Sequence, residues 1–259
     1  MNMKMKCLLL SSFFAFSFVS VLPATTLFFA GDSTLDDHKR DPKTLYRSWG
    51  TELEASMLPG NKVDNRASSG KSTKSFLALG LWGKLVASIQ PGDYVAIAFG
   101  HNDQKCNPGR ALELYAAAEG LYKENLRRFV REVRERGGVP ILMSPIVRGT
   151  FDRAGEKLVE HKNANGEDLL AYARAARAVA EELKVDFVDM HALTEMYLNS
   201  LGKEKSDLCF MISTGKAKAK DGEPKKDVTH PCKAGAEAFS KLFLDDVKAR
   251  KLPVAALFK

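Results

Sequence analysis

The sequence predicts a three-layer α/β/α domain built on a five-stranded parallel sheet. Three observations lead there. Short apolar β-forming runs alternate with longer segments at helical spacing. Pro-Gly and Gly-Gly pairs punctuate the junctions. Two apolar runs stop at a glycine followed at once by polar residues, Gly31-Asp32-Ser33 and Gly100-His101-Asn102. In a buried parallel strand both faces are hidden, so polar chemistry collects where the strand ends.

Taken in order, Thr25 to Ala30 reads as the first strand, followed by a polar loop through Pro42. Leu45 to Met57 has helical spacing, with Trp49, Leu53 and Met57 four apart. Lys62 to Arg66 is a short second strand. A loop of small residues, Ala67 to Ser72, leads to a helix over Thr73 to Ile89, which Pro91-Gly92 breaks. Asp93 to Phe99 is the third strand, and Leu112 to Arg136 a long amphipathic helix stopped by Gly137-Gly138. Val139 to Ile146 is the fourth strand, interrupted by Pro140. A helix over Glu167 to Leu183 precedes the fifth strand, Val185 to Met190. His191 to Leu201 is a helix, 202–233 a long polar segment, and Ala234 to Arg250 the last helix.

The chain has 259 residues, 45% hydrophobic and 27% charged, which supports a core without metal or disulfide staples. Lys4 and Lys6 precede an apolar run from Cys7 to Leu22, and Pro23-Ala24 follows. This pattern reads as a secretory signal over residues 1–24, cleaved near Ala24, ahead of one domain over 25–259. The expected location is therefore periplasmic or extracellular, with no membrane span in the mature chain. Cleavage removes two lysines and no acid, so the net charge of +7 becomes about +5. A mildly basic protein suits an acidic partner such as a polyuronate. No nucleic-acid partner is expected, and a monomer is.

Of four cysteines, Cys7 leaves with the signal and Cys106, Cys209 and Cys232 remain. One disulfide and one free thiol is the simplest outcome in an oxidising compartment, and Cys209 with Cys232 would close the lysine-rich loop between them. No C-x-x-C or H-x-x-x-H spacing occurs, so neither a metal nor another cofactor is expected.

The strand-end loops carry the candidate chemistry. Ser33 follows the first strand, where a nucleophile is well placed. A serine nucleophile needs a base, and the base an orienting acid. Among His38, His101, His161, His191 and His230, the last stands out, because Asp227 precedes it by three residues. On a tight turn that spacing puts acid and base on one segment. His101 and His191 read as structural, His38 and His161 as solvated. Three donors are available for a developing oxyanion: the backbone N–H groups of Ser33 and Gly70 and the side-chain amide of Asn102. Asp32 reads as the residue holding the turn that aims Ser33.

Four pieces then form a pattern: Gly31-Asp32-Ser33-Thr34, Asn65 through Gly70, Gly100-His101-Asn102-Asp103 and Asp227-Val228-Thr229-His230. In order and spacing they resemble the four blocks of the SGNH/GDSL hydrolase superfamily. Thr34 after the serine, Ser48-Trp49-Gly50, the Asn-Arg-Ala-x-x-Gly-x-Ser run and Asp-x-Thr-His are most similar to the rhamnogalacturonan acetylesterase family. The resemblance implies a flavodoxin-like fold and deacetylation of a pectic polysaccharide. It implies Ser33 as nucleophile, His230 as base and Asp227 as its orienter, with Ser33, Gly70 and Asn102 as oxyanion hole. Acetylated xylan or another glycan, or a lipase or thioesterase ester, are the alternatives within hydrolases. Ser68-Ser69-Gly70-Lys71 fits S-x-x-K, but the K-T-G and S-D-N elements that such enzymes need are absent. No G-x-G-x-x-G or P-loop argues for a nucleotide. Outside enzymes, a secreted carbohydrate-binding protein remains, for which Trp49 and Trp82 would have to be exposed.

Overall fold

A computed structural model describes residues 24–36, 45–214 and 226–259. The expected signal segment, apart from Ala24, lies outside these residues, as do His38 and nearly all of the lysine-rich stretch 216–226. Five strands form one parallel sheet: β1 (Thr26–Gly31), β2 (Lys62–Asn65), β3 (Tyr94–Ala98), β4 (Val139–Met143) and β5 (Asp186–Val188). Their spatial order is β2-β1-β3-β4-β5, the doubly wound order of flavodoxin-like sheets. The expected fold class holds.

Alternation along each strand sends neighbouring residues to opposite layers. Leu27, Phe29, Ala96, Ala98, Ile141 and Met143 enter one core. That core is covered by α1 (Trp49–Glu52), α7 (Met190–Asp207) and α8 (Lys233–Ala249). Phe28, Ala30, Val95, Ile97 and Leu142 enter the other, under α2 (Thr73–Ala78), α3 (Leu81–Val86), α5 (Lys123–Glu135) and α6 (Leu169–Leu183). Trp49 wedges between Phe29 and Phe243, with ring centroids at 5.7 and 5.9 Å. Trp82 packs on Phe129 at 4.1 Å and donates its indole N–H to Glu132. Both tryptophans are core residues, so neither offers a sugar-stacking platform.

Where the expected helices differ from the structure, the backbone explains it. The run Thr73 to Ile89 is two helices, because Gly80 between them takes a left-handed φ of +69° that a continuous helix excludes. Leu112 to Arg136 divides into α4 (Ala111–Leu114), a wide turn over Ala118–Tyr122 kinked at Gly120, and α5. Helix α7 runs on through a break at Gly202 to Asp207, beyond the expected end at Leu201. Over Leu45 to Met57 only Trp49–Glu52 is α-helical, with a 3-10 turn at Leu53–Ser56.

The disulfide expected between Cys209 and Cys232 is not formed: both side chains are buried thiols, and Cys106 is a half-buried one. The pair is adjacent, with the Cys232 N–H donating to the Cys209 carbonyl at 3.0 Å. The Cys232 thiol instead donates to the Leu208 carbonyl. Burial and the neighbouring thiol push Cys209 up to about 11, which keeps it protonated and unreactive.

The close approach of β1 and β3 is what levels the loops above them. Gly31 stands opposite Ala98, and a Cβ on Gly31 would lie 2.7 Å from the Ala98 carbonyl oxygen. Gly31→Ala should therefore cost about 1–3 kcal/mol of stability, read as a lowered urea midpoint. An unchanged midpoint would show that the strands part without penalty.

Candidate active site

The chain turns immediately after β1, and Asp32 makes the turn. Its Oδ1 accepts from the Thr34 N–H at 3.0 Å and the Thr34 hydroxyl at 2.9 Å. Its carbonyl accepts from the Leu35 and Asp36 N–H groups. Ser33 is carried at the apex, half-buried. Asp32 itself is buried, and burial raises its pKa against the lowering effect of the Thr34 bonds. The expectation that Asp32 holds the turn agrees with this geometry.

The other loops are tied to this one. Ser68 N–H donates to the Gly31 carbonyl at 3.0 Å, seating the Ala67–Ser72 loop on the end of β1. Asn65 steadies that loop from below: its amide nitrogen donates to the Leu35 carbonyl, Ser48 Oγ and Thr51 Oγ1, and its oxygen accepts from the Ala67 N–H. Asn102, after β3, donates its amide to the Lys71 carbonyl at 3.0 Å. Asp103 Oδ1 accepts from both the N–H and the hydroxyl of Thr73 at the start of α2. Gly70 sits exposed at φ +74°, a left-handed backbone that favours glycine. No described residue takes its N–H.

The turn before α8 brings in the acid and the base. Asp227 Oδ1 accepts from the N–H groups of Thr229 and His230, both at 3.0 Å. Asp227 Oδ2 is 2.8 Å from His230 Nδ1, and His230 Nε2 is 2.8 Å from Ser33 Oγ. The turn is clamped by three backbone bonds: Arg47 N–H to Pro231 O, Gly149 N–H to Val228 O, and Met211 N–H to His230 O. Burial opposes ionisation of Asp227. The hydrogen bond and charge of His230, with the two backbone N–H groups, still bring its carboxyl well below the usual range. An ionised Asp227 fixes the imidazole with Nδ1 protonated and Nε2 facing the serine. This is the arrangement by which a hydroxyl becomes a nucleophile.

Residues 29–238 match the GDSL-like lipase/acylhydrolase family. The chain belongs to that family. It is a carboxylic ester hydrolase of the SGNH type. The rhamnogalacturonan acetylesterase RhgT of Bacillus subtilis (strain 168) is 30% identical over 228 residues, 88% of this chain and 91% of that protein. The crystal structure of YxiM from Bacillus subtilis superposes with a TM-score of 0.70 at 27% identity, covering 89% of this chain. This chain spans 58% of the length of that protein. Axe2, an acetylxylan esterase from Geobacillus stearothermophilus, shares the fold with a TM-score of 0.59 at 22% identity, over 87% of this chain and 94% of its own.

Within this GDSL-like site the structure gathers Ser33, His230 and Asp227 into one hydrogen-bonded line, and seats Gly70 and Asn102 on loops bonded to the same strand ends. His101 is buried, and burial with the nearby Arg148 charge holds its pKa well below the ordinary value. His191 is buried against Glu160, and His161 is exposed. Two contacts have no sequence signal. Tyr46 donates its hydroxyl to Asp227 Oδ2 at 2.9 Å. The Lys105 ammonium donates to Asn102 Oδ1, fixing which end of that amide carries the N–H groups. Beside Lys105 opens a cleft of about 350 Å³ lined by Gln104, Lys105, Cys106, Arg148, His161 and Lys162, among others, with no carboxylate among its lining residues. Among the described residues no group of three His, Cys, Asp or Glu could hold a metal ion. No described helix is long and apolar enough to cross a membrane.

Burial raises Asp103 to about 7, against the Thr73 bonds that favour its charged form. Between the ordinary carboxylate range and about 7, the folded chain therefore keeps a proton that the unfolded chain has lost. This group's contribution to stability falls as pH rises through that window. Asp103→Asn keeps an acceptor for Thr73 and removes the titration. Relative to wild type it should gain about 2 kcal/mol on going from pH 5 to pH 8, measured as unfolding free energies in urea. A difference independent of pH would show that Asp103 is ionised throughout.

Proposed function

We propose that the protein is a serine acetylesterase that removes acetyl groups from an acidic plant cell-wall polysaccharide, rhamnogalacturonan in particular, and so takes part in pectin degradation. The observation that carries the chemistry is the continuous line from Ser33 Oγ through His230 to Asp227, with two bonds of 2.8 Å. Ser33 attacks the acetyl carbonyl and passes its proton to His230 Nε2. The Ser33 and Gly70 N–H groups and the Asn102 amide receive the developing oxyanion. His230 then gives the proton to the departing sugar oxygen. In the second half, water attacks the acetyl-serine with His230 again as base, and acetate leaves. The protein's own residues suffice for each proton transfer.

Two observations support an acidic glycan. The cleft beside Asn102 presents Lys105, Arg148 and Lys162 and no acid, which suits a uronate carboxylate. The rhamnogalacturonan acetylesterase RhgT aligns over nearly the whole of both chains. A lipase or thioesterase would want a deep apolar acyl pocket in the place of this cationic cleft. The reading includes export, supported by Lys4, Lys6 and the apolar run ending at Pro23-Ala24.

Hydrolysis of p-nitrophenyl acetate should fall by about 10³ or more in Ser33→Ala. Asn102→Ala should lower kcat by about 10²–10³ with little change in KM, as loss of one oxyanion donor does. A wild-type rate in Ser33→Ala would remove the esterase mechanism. Acetate release from acetylated rhamnogalacturonan should exceed release from acetylated xylan and mannan. Preference for xylan would overturn the substrate assignment and leave the mechanism standing.

A further inference from the structure

We propose that Tyr46 is a positioning residue of the esterase, its hydroxyl holding the Asp227 carboxylate and its ring holding the His230 imidazole. The inference rests on the serine-esterase reading above and assigns a role to a residue outside the four sequence blocks. The Tyr46 hydroxyl donates to Asp227 Oδ2, the same oxygen that faces His230 Nδ1. The Tyr46 ring lies 4.8 Å from the imidazole, centroid to centroid, at 50° between planes. One side chain therefore touches both partners of the acid–base pair.

The placement is built into the backbone. Arg47 N–H donates to the Pro231 carbonyl at 3.1 Å, pinning the residue after Tyr46 to the residue after His230. The Arg47 guanidinium donates to the Tyr46 carbonyl at 2.8 Å. Ser48 then caps α1 by accepting from the Thr51 N–H, and also accepts from Asn65. Tyr46 is thus held between the base turn and the first helix of its own layer.

Chemically, the phenol has two effects. It completes a set of four donors on Asp227: the Thr229 and His230 N–H groups on Oδ1, and Tyr46 and His230 Nδ1 on Oδ2. A carboxylate so fixed cannot rotate away when the imidazole moves a proton. The phenol also draws electron density from Oδ2, so the carboxylate favours the imidazolium less than one bonded to imidazole alone. Burial, with the adjacent Asp227 charge, pushes the phenol up to about 12, so it remains a neutral donor over any working pH.

Tyr46→Phe keeps the ring and removes the hydroxyl, and Tyr46→Leu removes both. The assay is p-nitrophenyl acetate hydrolysis from pH 4 to 9, with Ser33→Ala alongside. Tyr46→Phe should lower kcat about five-fold with KM within about two-fold, the loss of one hydrogen bond. The acid limb of its pH–rate profile should move up by about half a pH unit. Tyr46→Leu should lower kcat further. The imidazole is also faced by Asp32 and His101, and Lys105 acts on both of these. All three remain in the variants, so a displaced limb reports the phenol. Wild-type kcat and acid limb in Tyr46→Phe would overturn the proposal. A raised KM with unchanged kcat would also overturn it, marking Tyr46 as a substrate contact. Activity surviving in Ser33→Ala would instead remove the esterase reading beneath it.

Discussion

The parallel register of β1 against β3 is the constraint on which the site depends. Gly31 stands opposite Ala98, so both strands end at the same level. Only a residue without a side chain fits there. The two strands then release Asp32-Ser33 and Gly100 to Asp103 side by side. Everything else at the site is attached to this pair of ends: the Ala67–Ser72 loop through Ser68, α2 through Thr73 and Asp103, and the base turn through Ser33 itself. A slip of one residue would exchange the two core faces and carry Ser33 away from His230.

The strands of the sheet were legible in the sequence because fully buried parallel strands are short apolar runs with sharp ends; their spatial order was not in those runs and came only with the flavodoxin-like fold that the family resemblance implies. Phe28 and Phe29, neighbours that enter opposite cores, are that signal in miniature. Helix boundaries were less legible. Amphipathic spacing continues across Gly80 and Gly120, and only the backbone angles reveal that the helices do not; at Gly202 the reverse holds, because α7 resumes past a local break where the sequence reading ended it. At the site, acid and base were readable because they share one turn, where three residues of spacing fix their geometry. Asn102 and Gly70 were singled out by residue type alone, as groups able to donate to an oxyanion.

The contacts that escaped reading join segments far apart with no local pattern. Tyr46 meets Asp227 across 181 residues, and nothing in Leu45 to Met57 marks its second residue as other than part of an apolar stripe. The neighbouring cysteines show the opposite limit. The chain does place Cys209 beside Cys232, as loop closure suggested, but proximity alone left the sulfurs unjoined, with one turned to the Leu208 carbonyl.

The three backbone bonds that clamp the base turn reach Arg47, Gly149 and Met211, in the first, middle and last thirds of the chain. Acid and base share one turn, but holding that turn in place draws on segments from all three thirds of the chain. Closing such long loops is slow, because their entropy must be lost before the contacts repay it. During refolding, helical signal should therefore return well before hydrolytic activity. Activity in this protein is a late and global reporter of the native state, even though its three principal side chains sit within a few ångströms of one another.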